Sequence, residues 1–294
     1  PTSRDGVLAR LEQERLIESK PAGWCITNLA AILLAKRLDA FSPELARKGP
    51  RVVIYEGSDK LVTREDKPGL KGYAVGFESL VDFVHSSAPL NRFVEQVVRE
   101  EVKMFPRQAI RELVANALVH QDFEASGQSV MVEMYTDRLA VSNPGLPPIK
   151  VERFIDEFRS RNERLAELMR RMRLCEEKGS GIDKVVHLAE AYQLPAPDFR
   201  VGERRTSAVL FAHQDIDEMD RNDRVRACYQ HCCLRYVMNE QMTNQSLRER
   251  FKLPESKVAT VSQIIAATVD AGKIKPADPT QTSTRYRSYV PFWA

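Results

Sequence analysis

Three polar side chains within one short stretch have the types and spacing that nucleotide chemistry uses. Glu112, Asn116 and His120 recur every four residues. On a helix they share one face, opposite a stripe of Ile110, Leu113, Val114, Ala117 and Leu118. An amide oxygen is a hard ligand for Mg²⁺, and a carboxylate can orient or deprotonate a water. Asn116 is therefore the candidate contact for nucleotide-bound Mg²⁺, and Glu112 the candidate catalytic carboxylate that would orient or deprotonate a water. A second piece is the run Leu139 to Ser142, which ends in Asn143, Pro144 and Gly145. It reads as a strand entering a sharp turn with an amide at its end. A third is Gly179, Ser180 and Gly181, a short Gly loop ahead of an apolar-periodic run. Its backbone N–H groups could face a phosphate at a helix start. Each piece alone has an ordinary reading as a solvated face, a turn or a loop. Their order along the chain is what makes a nucleotide site the stronger reading.

The elements that would position these residues follow from periodicity. Asp5 to Ser19 reads as a helix, Gly23 to Thr27 as a short strand, and Asn28 to Arg37 as a helix capped by Thr27 or Asn28. Arg51 to Tyr55 is a buried-strand signal, and Lys71 to Val75 a shorter one. Phe77 to Glu101 reads as an amphipathic helix interrupted near Pro89, and Pro106 opens the helix that carries Glu112. Ser129 to Tyr135 and Arg138 to Ser142 form a hairpin through Thr136 and Asp137. Two helices, Asn162 to Arg173 and Gly181 to Gln193, precede strands at Phe199 to Val201 and Ser207 to Phe211.

At this point the span from Lys71 to Phe211 resembles the RecG-like C-terminal ATP-binding family, often fused to a Schlafen/Alba-type domain in transcriptional regulators. The matching text is Ala109 to Asp122, Asp137 to Gly145, Arg161 to Ala166 and Gly179 to Ile182. That family is similar in turn to the Bergerat fold of gyrase, histidine kinases and mismatch-repair ATPases. The resemblance implies an α+β, two-layer α/β sandwich with ATP and Mg²⁺ as cofactors. Glu112 and Asn116 would lie on its phosphate-side helix, and Asn143 and Gly145 at its adenine-reading strand end. Arg161 would be a further cofactor-binding residue, with Gly179, Ser180 and Gly181 as the phosphate loop. The wider pattern has Asp where this chain has Asn143 and Gly where it has Pro147. An Asn carbonyl keeps an acceptor for the adenine amino group but not the charge.

The C-terminal stretch has a different character. The acidic segment Gln214 to Asp223 marks a boundary, and three helices follow at Arg224 to Val237, Thr243 to Phe251 and Pro254 to Ala271. The last two, joined by a tight turn, read as a helix-turn-helix with Val258, Val261, Ile265 and Val269 inward. Ser256, Lys257, Thr260 and Gln263 would face outward to double-stranded DNA. A strand pair from Lys273 to Tyr289 would form a wing carrying Lys273, Lys275, Arg285 and Arg287. From Thr243 onward eight basic residues face four acidic ones, so this tail holds +4 while the whole chain is +3. A local basic excess is the electrostatic footprint of a polyanion partner. The competing reading is a winged helix used for homodimerisation or partner docking, on an ATPase or a degenerate scaffold.

Composition bounds the rest. The chain has 294 residues, 43% hydrophobic and 29% charged, enough for more than one core. The expected division is a helical connector over 1–48, a nucleotide domain over 49–213 and a winged helix over 214–294. Since the sequence opens on Pro1, an upstream domain is expected, of the Schlafen/Alba type by resemblance. The longest apolar run, Leu29 to Ala35, is too short for a bilayer, and no leader pattern is visible. Five irregularly spaced cysteines do not read as a disulfide framework. A cytoplasmic protein with reduced thiols is expected. Cys228, His231 and Cys232 share a helix face, but no fourth zinc ligand accompanies them.

Overall fold

The computed structural model describes residues 3–91, 102–175, 181–281, 283 and 287–294. Its central feature is a six-stranded mixed sheet in the order β4-β3-β5-β6-β8-β7. These strands are β3 (Arg51–Tyr55), β4 (Thr63–Pro68), β5 (Met131–Met134), β6 (Arg138–Pro144), β7 (Asp198–Val201) and β8 (Arg205–Phe211). β3 and β5 pair in parallel, and the other neighbours are antiparallel. A parallel pair needs a long crossover, and helices α4 (Tyr73–Ser87) and α5 (Arg107–His120) lie within it.

Strand alternation sorts the side chains onto two faces. Val52, Ile54, Val132, Met134, Leu139 and Val141 enter the main core beneath the helices. Val53, Tyr55 and Tyr135 pack together on the opposite face, where the two tyrosine rings stack at 4.8 Å. The result is an α+β architecture with a helical layer on one side of the sheet. α5 is the most deeply embedded helix of this layer; Ile110, Leu113, Val114 and Leu118 are all buried. Pro106 stands at its N-cap, as the sequence predicts.

Several local expectations change. The first helix, α1 (Arg4–Gln13), stops early: Arg15 takes φ 56°, and a hairpin of β1 (Ile17–Lys20) and β2 (Gly23–Ile26) follows. Thr27 caps α2 (Asn28–Leu34) by accepting from the Ala30 amide. Lys71 to Val75 is not a strand. Gly72 donates to the Ala35 carbonyl at 2.8 Å, and a Cβ there would sit 2.7–2.8 Å from the backbone of Leu33 and Ala35. The chain turns at this close approach, and α4 begins at Tyr73 with Phe77, Val81 and Val84 on its buried side. The expected extension of that helix toward Glu101 falls on residues 92–101, outside the described residues. The edge strand β4 lacked a sequence signal because its side chains are nearly all exposed.

The C-terminal part comprises α8 (Arg221–Val237), α9 (Asn244–Arg250) and α10 (Val258–Asp270), with a short antiparallel pair of β9 (Ile274–Pro276) and β10 (Tyr289–Pro291). Asp220 caps α8, which begins three residues ahead of the expected start, and Ile216 and Met219 within the acidic stretch are buried. A single turn of 3-10 helix at Glu255–Lys257 precedes α10 and rotates its start. Val258 is therefore 41% exposed rather than inward, and Ile264 joins Val261 and Ile265 in the core. That core also takes in Ile155 and Val186, so it is continuous with the sheet portion.

Candidate functional site

A cleft of about 150 Å³, open to solvent at its mouth, lies between the helical layer and the end of β6. Its floor is α5, which contributes Glu112, Leu113, Asn116 and His120. Glu112 is 4% exposed, and Asn116 is half-buried. Helix α6 (Glu163–Arg171) walls one side and runs antiparallel to α5. Two contacts fix this direction. The Asn162 amide donates to the Val119 and Gln121 carbonyls at 2.7 and 2.8 Å, and Arg111 donates to the Arg173 carbonyl. Asn162 stands at the expected N-cap position, but its side chain caps the end of α5 instead of its own helix.

The helix α7 (Gly181–Ala191) begins at the Glu112 end of the floor. A Cβ on Gly181 would meet Glu112 Oε2 at 2.9 Å and Asn116 Nδ2 at 3.5 Å. Glycine is what lets this helix start approach two polar side chains so closely. At the far end, Asn143 closes β6 and is 7% exposed. Its Nδ2 donates to the His120 carbonyl at 3.2 Å and the Pro144 carbonyl at 2.9 Å. The amide nitrogen is thus committed to the backbone, and Oδ1 is the atom with capacity to accept from a ligand. Apolar groups, including Val141, Ile149, Phe154, Ile182 and Phe199, line the space between the two ends.

Burial lowers the imidazole of His120 to about 4, with the nearby Arg161 charge acting in the same direction. The ring is therefore neutral at ordinary pH, and its Nδ1 is buried without a hydrogen-bond partner among the described residues. In the first turn of α7, burial raises the Asp183 carboxyl to about 6, and Asp156 adds to the shift.

Glu112, Asn116, Asn143 and Gly181 thus line one cleft. Gly145 and Arg161 are one step removed. Gly145 has φ +103°, and a Cβ there would lie 3.3 Å from the Arg161 guanidinium, which donates to the Leu146 carbonyl at 2.6 Å. Arg161 clips the turn that forms the cleft mouth. Gly179 and Ser180 lie outside the described residues. Periodicity and motif order did not single out Arg170, Thr206, Phe154 or Phe158, which also line the cleft. The (i, i+4) step from Ala166 to Arg170 was the available signal, since both face the cleft from α6.

The C-terminal candidates are dispersed. Ser256 and Gln263 are exposed on the α10 side, and Thr260 is half-buried. Lys257 lies 4.0 Å from Asp217. Lys273 reaches Glu152 at 3.3 Å, while Lys275 donates to the Ala294 carbonyl. Arg287 donates to the Gln281 carbonyl at 2.9 Å, and Arg285 is outside the described residues. The helix-borne Cys228, Cys232 and Cys233 are buried, and burial pushes Cys228 and Cys233 up to about 12. His231 uses its two ring nitrogens on Glu190 and Ser246.

The family described as "Putative ATP-dependent DNA helicase recG C-terminal" matches residues 127–210. The match takes in β5 to β8, with Asn143 and Gly181, but not α5 with Glu112 and Asn116. Among solved structures, the DIP2311 protein from Corynebacterium diphtheriae is similar over 96% of this chain, with 17% identity and a TM-score of 0.58. That likeness is one of fold, and this chain spans 56% of the length of that protein's chain. No curated protein matches the sequence. Among the described residues, no helix is long and apolar enough to cross a membrane.

Proposed function

We propose that the cleft binds ATP, with its base at the Asn143 end and its phosphates at the Gly181 end. The observation that carries this reading is the approach of Gly181 to Glu112 and Asn116 at one end of a floor whose other end meets Asn143. Eight residues of helix separate Glu112 from His120, about 12 Å at the helical rise. That length suits an extended nucleoside triphosphate. Asn143 Oδ1 would accept from an exocyclic amino group, and the apolar walls would hold a base plane. The start of α7 would turn backbone N–H groups toward phosphate.

Asn116 fits a divalent ion held through the phosphates. Its half-buried amide has no hydrogen bond to another described side chain, and it stands where Gly181 leaves room. Mg²⁺ there would screen phosphate charge and fix phosphate geometry. Glu112 is placed to orient a water beside the same group, so slow hydrolysis is the accompanying activity. Calorimetry with ATP, ADP and AMP, with and without Mg²⁺, tests the reading. ATP binding that Asn116→Ala weakens supports it, and absence of heat with all three nucleotides overturns it.

The wider reading is a cytoplasmic, nucleotide-responsive transcriptional regulator whose C-terminal helices contact double-stranded DNA as a winged helix. One observation favours linking the two activities. α7 starts at the cleft and ends against the C-terminal helices, where Glu190 bonds His231 and the Gln193 side chain donates to the Arg250 carbonyl at 3.3 Å. A ligand that shifts α7 would shift that junction. The alternative, an ATPase whose C-terminal part mediates homodimerisation or docks a partner, uses the same junction without DNA. Gel shifts with and without ATP separate them.

A further inference from the structure

We infer that Arg170 is the cleft's phosphate-recognition residue and gives it preference for a triphosphate; this deepens the nucleotide reading and rests on it. Three arginines sit on α6, and two of them are spoken for. Arg164 and Arg171 both pair with Glu14, which anchors α1 to this helix. Arg170 lines the cleft instead and makes no ion pair or side-chain hydrogen bond with any described residue. A half-buried guanidinium with five donors and no hydrogen-bonded acceptor among the described residues is a group suited to an anion.

Its place in the cleft follows from helix direction. α6 begins at the His120 end, where Asn162 donates to the Val119 and Gln121 carbonyls. It ends at the opposite side, where Arg111 of α5 donates to the Arg173 carbonyl. Arg170 lies in the last turn, at the Glu112 end, one helical turn beyond Ala166, whose carbonyl faces the Cys175 thiol at 3.8 Å. The Gly181 helix start is at the same end. A nucleotide with its base near Asn143 would direct its outermost phosphate there. A planar guanidinium can donate two parallel hydrogen bonds to that group, which a monophosphate would not reach. Arg159, also on the cleft wall but exposed at the mouth, lacks this placement.

The test is calorimetry on the full chain with ATP, ADP, AMP and inorganic triphosphate, in the presence of Mg²⁺. The variants are Arg170→Gln, Arg170→Lys and Arg159→Gln. Arg170→Gln is expected to weaken ATP and inorganic triphosphate by roughly 10- to 100-fold. AMP should stay within about twofold of wild type, since the lost contact is to the outer phosphates alone. Arg170→Lys should fall between, and Arg159→Gln should resemble wild type. An unchanged ATP-to-AMP ratio in Arg170→Gln overturns the inference while leaving the nucleotide reading intact. Equal loss of AMP and ATP overturns it as well, by showing that Arg170 only holds the wall. Failure of all nucleotides with wild type overturns the nucleotide reading. In that case, Arg170-dependent binding of inorganic triphosphate would still support an anion site, and no such binding would sink both.

Discussion

Gly181 and Glu112 stand so close that one added methyl group would collide with the carboxylate: a Cβ on Gly181 meets Glu112 Oε2 at 2.9 Å. The carboxylate is buried. The contact joins the start of α7 to the floor of the cleft and sets the space in which a phosphate would sit.

Gly181→Ala should therefore separate binding from folding. Replacing helical Gly by Ala favours the helix by roughly 0.5–1 kcal/mol, which offsets much of the collision with a side-chain tip. Stability should change by less than about 1 kcal/mol, or a few degrees in Tm. ATP affinity should fall at least about tenfold, because the methyl occupies the phosphate approach. Thermal melts run beside calorimetry check this. A stable variant with wild-type ATP affinity would remove Gly181 from the site.

Asn143 illustrates what a strand-end amide does that a carboxylate cannot. Its Nδ2 donates to two carbonyls, of His120 and Pro144. Asn143→Asp removes both donations and sets a buried charge against two acceptors. The expected cost at pH 7 is about 2–3 kcal/mol. Repulsion raises the new carboxyl's folded pKa above its unfolded value, so stability is recovered as pH falls and the group protonates. Equal destabilisation at pH 4.5 and pH 7.5 would contradict this account.

Legibility in the sequence tracked how strongly each residue's neighbours constrained it. α5 was readable because its apolar stripe is buried along its whole length, and the β5–β6 hairpin because its alternation matches two distinct faces. Asn143 and Gly181 were readable because a polar side chain and a glycine stand where an element ends or begins. Other features depend on residues distant in sequence. Lys71 to Val75 became a helix start because Gly72 abuts Leu33 and Ala35. β4 is held by pairing with β3 and by Arg51–Asp66, not by buried side chains of its own. Arg170 shares a helix face with Ala166 in the sequence, but what sets it apart from Arg164 and Arg171 is their pairing with Glu14, a residue distant in sequence.

Two buried groups near the cleft should shape the pH dependence of stability in opposite directions. His120 is lowered from 6.5 to about 4, so its unfolded form binds more protons between those values. Its contribution is present above pH 6.5 and is lost as pH falls toward 4, by up to about 3 kcal/mol. Asp183 is raised from 3.8 to about 6, so the folded form binds more protons between those values. Its contribution is present below 3.8 and is lost as pH rises through 6. Because the carboxyl is partly solvated, about 1 kcal/mol is the appropriate scale. Asp183→Asn should accordingly raise Tm at pH 7.5 and leave it nearly unchanged at pH 3.5. His120→Asn should flatten the acid side of the profile. Melting curves from pH 3.5 to 8 on both variants would expose a reversed sign in either.

The junction between α7 and the C-terminal helices rests on a buried arginine. The Arg250 side chain is 2% exposed; it donates to the Leu194 carbonyl at 2.7 Å and lies 3.7 Å from Glu190. Arg250→Ala should cost about 3 kcal/mol or more, because Leu194's carbonyl and Glu190 lose a desolvated partner. Limited proteolysis should then cut between Ala212 and Asp220, after the last sheet strand, before the sheet portion unfolds. Simultaneous loss of both parts in a single transition would show that the C-terminal helices do not separate there.

DNA binding, where it occurs, should be weaker and less salt-sensitive than the basic count of the tail suggests. Lys273 is drawn to Glu152, Lys275 to the Ala294 carbonyl, and Arg250 into the core. Arg248, Lys252 and Lys257 belong to the same segment as the exposed Ser256 and Gln263, with Lys257 4.0 Å from Asp217 and Arg248 donating to Asn244 Oδ1 at 3.3 Å. Three phosphate contacts would give a slope of log K against log salt of roughly −3. Charge reversal at Lys252 or Lys257 should weaken binding to every duplex alike and flatten that slope by about 1. Gln263→Ala should instead change the ranking among sequences, since base edges carry that information. Gel shifts on the full chain from 50 to 200 mM salt, with light scattering on the same samples, decide between DNA and protein as the partner. No mobility shift at the lowest salt, together with a dimer that Trp293→Ala dissociates, would assign the C-terminal part to homodimerisation and leave the nucleotide cleft without a DNA-binding output.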